Sequence, residues 1–181
     1  MKHILETDQT ALVVIDIQER LVKAMDDDVL KKITDNTLRL VKGANVMGIR
    51  TLFTQQYSKG LGDTIMSLKE HLEGDHVEKT DFSCCGESSF NEGLKGVKTV
   101  ILAGMETHVC VLQTALDLMN AGFAVHIAAD AVCSRSKFNW KTGLRMMESA
   151  GAVITCTETV LFQLVKRAGT PEFKEISNII K

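Results

Sequence analysis

Apolar positions along the chain follow two different periods. Runs that are almost wholly apolar, at residues 11–15 and 99–103, have the length and composition of buried strands. Over residues 29–47 the apolar positions instead recur three or four residues apart, which is typical of a helix with one buried face, and Gly48 marks its end. The chain therefore begins with a strand followed by a helix.

The same alternation continues to the end of the chain. Each further strand pattern is followed by a segment of helical period, and glycines such as Gly122 and Gly151 end two of the helices. Strands are predicted at residues 50–55, 76–79, 124–129 and 153–155, and helices at residues 65–72, 87–94, 109–119, 137–150, 158–167 and from Thr170-Pro171 onward.

Six largely apolar strands that alternate with helices predict a six-stranded parallel sheet covered on both faces, which is a three-layer αβα fold of the Rossmann-like type. With 181 residues and no change of composition along the chain, residues 1–181 are expected to form a single domain. In such folds functional groups cluster beyond the carboxyl ends of the strands, where the strand order reverses.

Composition narrows the class of protein. The sequence is 45% hydrophobic and 24% charged with a formal net charge of -2, which is ordinary for a soluble globular protein and favours neither nucleic acid nor membrane as a partner. No apolar run approaches the roughly 20 residues of a membrane span, and the polar start does not resemble a secretory signal, so we expect a cytoplasmic protein. The five cysteines are then expected to be reduced, and neither they nor the histidines have the spacing of a zinc site.

Three ionisable residues stand at predicted strand ends. Asp16 ends the first strand, Lys79 ends the third, and Cys110 lies just beyond the fourth. Taken singly, each has an ordinary structural interpretation: a turn aspartate, a surface lysine and a buried cysteine. Together, and with the first and fourth strands adjacent, they would form a nucleophile, a base and a cation at one site.

The chemistry of this set depends on the start of a helix. With Thr107 as its N-cap, Cys110 would lie among backbone N–H groups that lack acceptors, which would lower the thiol pKa below about 8.5. Asp16 could take the thiol proton, and Lys79 would keep that carboxylate charged.

Four stretches resemble the signatures of the isochorismatase-like cysteine hydrolases: "ALVVIDIQ" at 11–18, "EKTDFSCCGESSF" at 78–90, "ILAGMETHVCV" at 101–111 and "AADAVCSRS" at 128–136. The resemblance implies that Asp16, Lys79 and Cys110 form the catalytic triad on a Rossmann-like sheet, and that the protein is a homo-oligomer. It also implies a cis peptide bond between Met105 and Glu106, which would direct the Glu106 and Cys110 backbone N–H groups at a substrate oxyanion.

One departure from the family bears on the substrate. Nicotinamidases of this family bind a metal through an Asp-x-His and a further His after the second strand, whereas residues 55–62 read "QQYSKGLG". We therefore expect no metal and no cofactor. Gln18, Tyr57 and Phe82 follow strand ends and are candidates for contacts with substrate. The side chains of Glu106 and His108 either face the rim of the pocket or have a structural role, and the sequence does not decide between these two alternatives.

The sequence thus predicts a cysteine-dependent hydrolase of a small amide, ureido or related carbonyl compound that acts through a thioester acyl-enzyme. Two alternatives stay open: a non-catalytic binding or interaction protein that keeps the fold, and a hydrolase of an isochorismate-type vinyl ether. A nucleotide-dependent oxidoreductase is disfavoured because "DIQERL" after the first strand has no glycine for a G-x-G-x-x-G turn.

Overall fold

One sheet of six parallel strands organises the protein. The computed structural model describes residues 3–181, and the strand order is β3-β2-β1-β4-β5-β6 with every neighbouring pair parallel. This confirms the three-layer α/β fold predicted from the sequence. The strands are β1 (Thr10–Ile15), β2 (Arg50–Gln56), β3 (Val77–Lys79), β4 (Thr99–Met105), β5 (Ala124–Cys133) and β6 (Val153–Thr155).

Eight α-helices connect and cover the strands. Asp26 begins the longest of them, because its side chain accepts hydrogen bonds from the backbone N–H groups of Asp28 and Val29. The helices are α1 (Asp27–Val46), α2 (Ser58–Leu61), α3 (Met66–Lys69), α4 (Ser88–Gly93), α5 (Leu112–Asn120), α6 (Lys137–Ala150), α7 (Thr157–Val165) and α8 (Pro171–Ile180). No helix in residues 3–181 has the length and apolar character to cross a membrane.

The two faces of the sheet build two separate apolar cores. Successive side chains of a strand point to opposite faces, so Leu12 and Val14 of β1 pack with α1, α7 and α8, whereas Val13 and Ile15 pack with α4, α5 and α6. Because both faces are covered, β1 and β4 are buried along their whole length. This explains their continuous apolar sequence.

The sheet order places a switch point between β1 and β4. The chain moves from β1 to β2 and β3 on one side, and returns to β4 on the other side of β1 before continuing to β5 and β6. The two strands pair from Thr10 with Thr99 to Ile15 with Gly104, so the residues that follow them emerge side by side. Asp16 follows β1 and Cys110 follows β4 at this edge.

Two local predictions differ from the structure. The strand predicted at residues 124–129 continues to Cys133, with a register shift against β4 between Leu102 and Gly104. The helix after β4 does not begin with a cap at Thr107: a five-residue π-helical turn, Thr107–Val111, precedes α5. In that turn the Val111 N–H donates to the Glu106 carbonyl at 3.3 Å, five residues back.

Candidate active site

The carboxylate of Asp16 and the ammonium of Lys79 form a fully buried ion pair. Lys79 Nζ lies 2.7 Å from Asp16 Oδ2, and neither side chain is exposed. Lys79 ends β3, which is separated from β1 by β2, so its long side chain crosses the end of β2 to reach the carboxylate. A buried pair of this kind holds both charges in place, because loss of either partner leaves the other charge unpaired.

The Lys79 ammonium is surrounded by more acceptors than it has hydrogens. Besides Asp16, it donates to Gln56 Oε1 at 2.6 Å and to the carbonyl oxygens of Asp81 at 3.3 Å and Phe82 at 3.2 Å. Burial alone lowers the pKa of Lys79, but the charge of Asp16 and, after it, that of Cys110 raise this pKa above the ordinary value. Lys79 is therefore a fixed cation with no donor left over for a substrate.

Thr54 holds the other oxygen of the same carboxylate. Its hydroxyl donates to Asp16 Oδ1 at 2.6 Å, in a fully buried contact. Asp16 itself has a φ of 51°, a left-handed conformation that aspartate tolerates better than most residues. Thr54 and Gln56 lie two residues apart near the carboxyl end of β2, so both point to the same side of the sheet. Sequence reasoning missed both, although two polar side chains at this spacing in a buried strand were a usable signal.

The thiol of Cys110 completes the cluster. It is 6% exposed, hydrogen-bonds with Asp16, and its Sγ lies 4.0 Å from Gln56 Oε1. The π-helical turn Thr107–Val111 presents it from the end of β4, and the peptide bond between Met105 and Glu106 is cis. The structure thus brings Asp16, Lys79 and Cys110 together, as the strand ends predicted.

The predicted low pKa of the thiol is wrong. Burial, and after it the charge of Asp16, raises the pKa of Cys110 to about 12, while the charge of Lys79 opposes this shift only in part. The Thr107 side chain, buried without a hydrogen-bond partner in the described structure, does not cap the turn. A thiol with this pKa is protonated at neutral pH, and it would need a base such as the neighbouring carboxylate in order to act as a nucleophile.

The side chains of Glu106 and His108 turn away from this cluster. Glu106 is 6% exposed, and its carboxylate accepts from the backbone N–H of Arg135 at 3.0 Å and from Nε of the same residue at 3.1 Å. His108 Nδ1 lies 3.0 Å from Ser134 Oγ, and Nε2 lies 3.2 Å from Asn139 Nδ2. Both side chains therefore tie the π-helical turn to the end of β5 and the start of α6, which favours the structural role.

The three predicted substrate contacts fall in different environments. Gln18 is fully buried: its amide donates to the carbonyls of Gln56 and Gly62, and its Oε1 accepts from the Gln56 N–H at 2.8 Å. It holds a loop in place and offers no polar group to a ligand. Tyr57 follows Gln56, is 55% exposed and has its ring against Gly60, whereas Phe82 is 52% exposed and contacts Lys79 through its backbone carbonyl.

All five cysteines are free thiols. Cys84 is buried, and burial raises the pKa of its thiol to about 12, with the charge of Asp16 as the next cause. Cys133 is buried in the core beneath α1, and Cys156 is partly exposed beside Thr159. Within residues 3–181 no three His, Cys, Asp or Glu side chains are grouped as metal ligands.

Comparison with known proteins identifies the family. Residues 10–159 match the Isochorismatase domain family. The chain belongs to the isochorismatase family. It is 45% identical to isochorismatase domain-containing protein 1 of Danio rerio over 148 residues, which are 79% of this chain and 51% of that protein. The chain thus spans about half the length of this isochorismatase-domain relative, and the same holds for its counterpart in Salmo salar.

Two solved structures superpose on nearly the whole chain. The MAR1 ribonuclease of Caenorhabditis elegans is 38% identical, with a TM-score of 0.92 over 98% of this chain and 92% of that one. The YCAC gene product of Escherichia coli, an octameric hydrolase of unknown specificity, has a TM-score of 0.86 at 22% identity, over 98% of this chain and 94% of that one. At that identity the likeness shows the fold alone. The predicted isochorismatase-like hydrolase family and Rossmann-like fold are confirmed.

Proposed function

We propose that this protein is a metal-free cysteine hydrolase of a small amide, ureido or related carbonyl compound. One observation carries the proposal: a protonated thiol, Cys110, hydrogen-bonds with a carboxylate, Asp16, that a buried ammonium, Lys79, holds at 2.7 Å. A weak nucleophile, its base and the cation that orients the base are the components of nucleophilic catalysis.

The mechanism begins with transfer of the thiol proton from Cys110 to Asp16. The sulfur forms a bond with the substrate carbonyl carbon, and the backbone N–H groups of Glu106 and Cys110 stabilise the oxyanion. Asp16 returns the proton to the leaving nitrogen as the carbon–nitrogen bond breaks, which leaves a thioester. Water then attacks the thioester, Asp16 takes a proton from that water, and the released sulfur is reprotonated. Lys79 stays protonated and hydrogen-bonded to Asp16 throughout, and its charge favours return of the proton that Asp16 has taken.

The test is a screen of small amides and ureido compounds with mass spectrometry of the intact protein. We expect a mass increase on Cys110 that decays as product forms, and Cys110→Ala should abolish both the adduct and turnover. Cys156→Ala, which removes a partly exposed thiol distant in sequence, is the matched control and should behave as wild type. Full turnover in the Cys110→Ala protein would refute the proposal.

The two alternatives make different predictions in the same screen. A binding protein that keeps the fold would retain small molecules without any adduct or product. A vinyl-ether hydrolase would turn over an isochorismate-type enol ether while leaving amides unchanged. Cleavage of amides with formation of the Cys110 adduct excludes both alternatives.

The name of the MAR1 relative raises RNA as a second candidate substrate. With a formal net charge of -2, the chain has no excess of cations to hold phosphates, and the triad is buried, so we place amide hydrolysis first. Single-stranded and structured RNA should be incubated with wild type and Cys110→Ala. Cleavage that disappears with the cysteine would favour RNA, and equal cleavage by both proteins would indicate a contaminating nuclease.

We also propose that residues 1–181 form one domain that acts in the cytoplasm as a homo-oligomer, without nucleic acid or membrane as a partner. Large apolar side chains on α5 and α6 support self-association: Phe138 is 76% exposed, Met146 is 49% exposed, and Leu116 lies near Met146 in one surface groove. The fold relative from Escherichia coli is itself octameric. Light scattering should show an oligomer, and Phe138→Glu should reduce its size.

A further inference from the structure

Gln56 is the most exposed member of the candidate catalytic cluster. The side chains of Asp16 and Lys79 are wholly buried, and Thr54 and Cys110 are 1% and 6% exposed. Gln56 is only partly buried and ends β2 at the edge where substrate must approach. Sequence analysis gave it no role.

The orientation of the Gln56 amide follows from its partners. The ammonium of Lys79 can only donate, at 2.6 Å, and the carbonyl of Thr80 can only accept, at 2.7 Å. The atom facing Lys79 is therefore Oε1, and the atom facing Thr80 is Nε2. If the amide were flipped, Nε2 would face the ammonium of Lys79, donor against donor, and Oε1 would face the carbonyl of Thr80, acceptor against acceptor. The oxygen is therefore fixed on the side of the Cys110 sulfur.

The backbone of Gln56 is fixed as well. Its N–H donates to Gln18 Oε1 at 2.8 Å, and its carbonyl accepts from Gln18 Nε2 at 3.1 Å. In the parallel ladder Gln56 pairs with Lys79, the residue that its side chain contacts. The acceptor is therefore preorganised, and a substrate would not have to order it.

One lone pair of Gln56 Oε1 is left for a substrate. A carbonyl oxygen can accept two hydrogen bonds, and the ammonium of Lys79 takes one of them. The other partner within reach is the Cys110 thiol at 4.0 Å, a long contact even for sulfur. Once the thiol proton moves to Asp16 and the sulfur bonds to carbon, that thiol no longer offers a hydrogen. An N–H on the substrate is the natural replacement.

We propose that Gln56 Oε1 accepts a hydrogen bond from the nitrogen of the scissile group and so selects primary amides and ureido compounds over esters and enol ethers. This inference rests on the proposed hydrolase function and deepens it. An ester or enol ether has an oxygen without a hydrogen where the amide has its nitrogen. That oxygen and Gln56 Oε1 are both acceptors, and they would face each other in a partly desolvated site. A site built around a substrate N–H rejects analogues that lack it far more strongly than an apolar site rejects a change of size.

The balance of the reaction is unchanged by this contact. The sulfur–carbon bond forms, the carbon–nitrogen bond breaks, and the proton on Asp16 goes to the departing nitrogen. The hydrogen that faces Gln56 stays on that nitrogen throughout.

The experiment compares matched substrates in matched variants. A panel of small aliphatic and aromatic carboxylic acids is prepared as primary amides, N-methyl amides and methyl esters, and kcat/KM and Cys110 acylation are measured for each. The N-methyl amide and the methyl ester are nearly equal in size and differ in the N–H. Gln56→Met removes the acceptor at similar volume, and Gln113→Met in α5 is an exposed control.

We expect the amide-to-ester ratio of kcat/KM to fall by about 100-fold in Gln56→Met and to stay near wild type in Gln113→Met. A ratio in Gln56→Met equal to wild type would overturn the inference. Acylation of Cys110 by esters but by no amide would also overturn it while the hydrolase function stands, whereas no acylation by any compound would remove both.

Discussion

The hydroxyl of Thr54 and the ammonium of Lys79 hold opposite oxygens of one buried carboxylate. Thr54 Oγ1 donates to Asp16 Oδ1 at 2.6 Å, and Lys79 Nζ contacts Asp16 Oδ2 at 2.7 Å. With both oxygens anchored, the carboxylate cannot rotate freely. The thiol of Cys110 hydrogen-bonds with the carboxylate that these two residues hold.

Replacement of Thr54 tests this arrangement. Thr54→Val keeps the shape but leaves Asp16 Oδ1 without its donor, which costs about 1–3 kcal/mol and should lower kcat by roughly 10- to 100-fold. Thr54→Ser restores the hydroxyl and should recover most of the activity. The measurement is kcat and KM on the best amide of the panel, with the melting temperature as a check on folding. Wild-type kcat in Thr54→Val would contradict the positioning role.

The raised pKa of Cys110 predicts how the thiol reacts with iodoacetamide. Because burial and the charge of Asp16 hold this pKa at about 12, the alkylation rate should climb from pH 7 through pH 10 without a plateau. Asp16→Asn removes the charge that raises the pKa, so the same thiol should alkylate faster at pH 8 even though hydrolysis is lost.

Peptide mass spectrometry after timed labelling can follow Cys110 and Cys156 in one sample, with the partly exposed Cys156 as the internal reference. A plateau for Cys110 below pH 8 would show that the thiol is already ionised in the resting protein. Slower labelling of Cys110 in Asp16→Asn would show that the charge of Asp16 does not hold the thiol pKa up. Faster labelling of Cys110 in Asp16→Asn, together with loss of turnover, would show two separate effects of Asp16: its charge raises the thiol pKa, and its carboxylate acts as the base in hydrolysis.

The fold could be predicted from the sequence, because it follows from simple periodicity. Apolar runs alternating with helical segments imply a parallel sheet, and the carboxyl ends of its strands must share one edge. Asp16, Lys79 and Cys110 stand at or just beyond such ends. Taken singly, each had an ordinary structural interpretation, so it was the resemblance to the isochorismatase-like hydrolases that singled them out as a set.

The supporting contacts could not be predicted, because they depend on register. Gln56 reaches Lys79 because these two residues pair in the ladder between β2 and β3, and a strand slipped by one residue would turn the side chain to the other face. Gln18 was predicted as a substrate contact from its place after β1. Its actual partners, Gln56 and Gly62, belong to a loop that the sequence does not position.

The thiol pKa was predicted in the wrong direction because two effects of different size compete. A helix terminus stabilises an anion by about 0.3–1 kcal/mol, and by up to about 2 kcal/mol when it is partly buried. A pKa raised from 9.0 to about 12 corresponds to roughly 4 kcal/mol against the thiolate. Burial therefore outweighs the helix terminus, and burial is what local sequence does not reveal.

Three buried thiols predict that the fold loses stability in mild alkali. Burial is the leading cause that raises the pKa of Cys84, Cys110 and Cys133 from 9.0 to about 12. Above pH 9 the unfolded chain releases these protons and the folded chain keeps them, so the free energy of unfolding falls as pH rises. The loss is about 1.4 kcal/mol per thiol for each pH unit between the two values.

Cys133→Ala isolates the contribution of one thiol outside the active site. Urea unfolding at pH 7.5 and pH 10.0 should show a smaller alkaline loss in this variant than in wild type, by about 1.4 kcal/mol. Lys79 is present in both proteins, so its own titration cancels when the two alkaline losses are compared. Cys156→Ala serves as the matched control and should keep the wild-type loss. The same pH difference in Cys133→Ala as in wild type would contradict the prediction.

Gly104 controls how closely β4 approaches the strand that carries Asp16. It pairs with Ile15 and has a φ of +114°. A Cβ at this position would lie 2.0 Å from the Ile15 carbonyl oxygen and 2.6 Å from its backbone nitrogen. Since both atoms belong to the backbone of a central strand, neither can move aside without shifting Asp16, the next residue.

Gly104→Ala should therefore destabilise the protein by more than about 4 kcal/mol, as expected for a backbone clash in a central strand. Gly122→Ala is the matched control, because Gly122 has a φ of +92° and a Cβ there meets nothing within 4 Å. This variant should lose only the roughly 1–2 kcal/mol of stability that a non-glycine residue loses in a left-handed conformation. Urea unfolding and Cys110 acylation should be measured for both. Equal losses of stability in the two variants would mean that the backbone conformation of Gly104 matters and its contact with Ile15 does not. A larger loss of stability in Gly104→Ala, together with loss of Cys110 acylation, would show that the close approach of β4 places the Asp16 carboxylate.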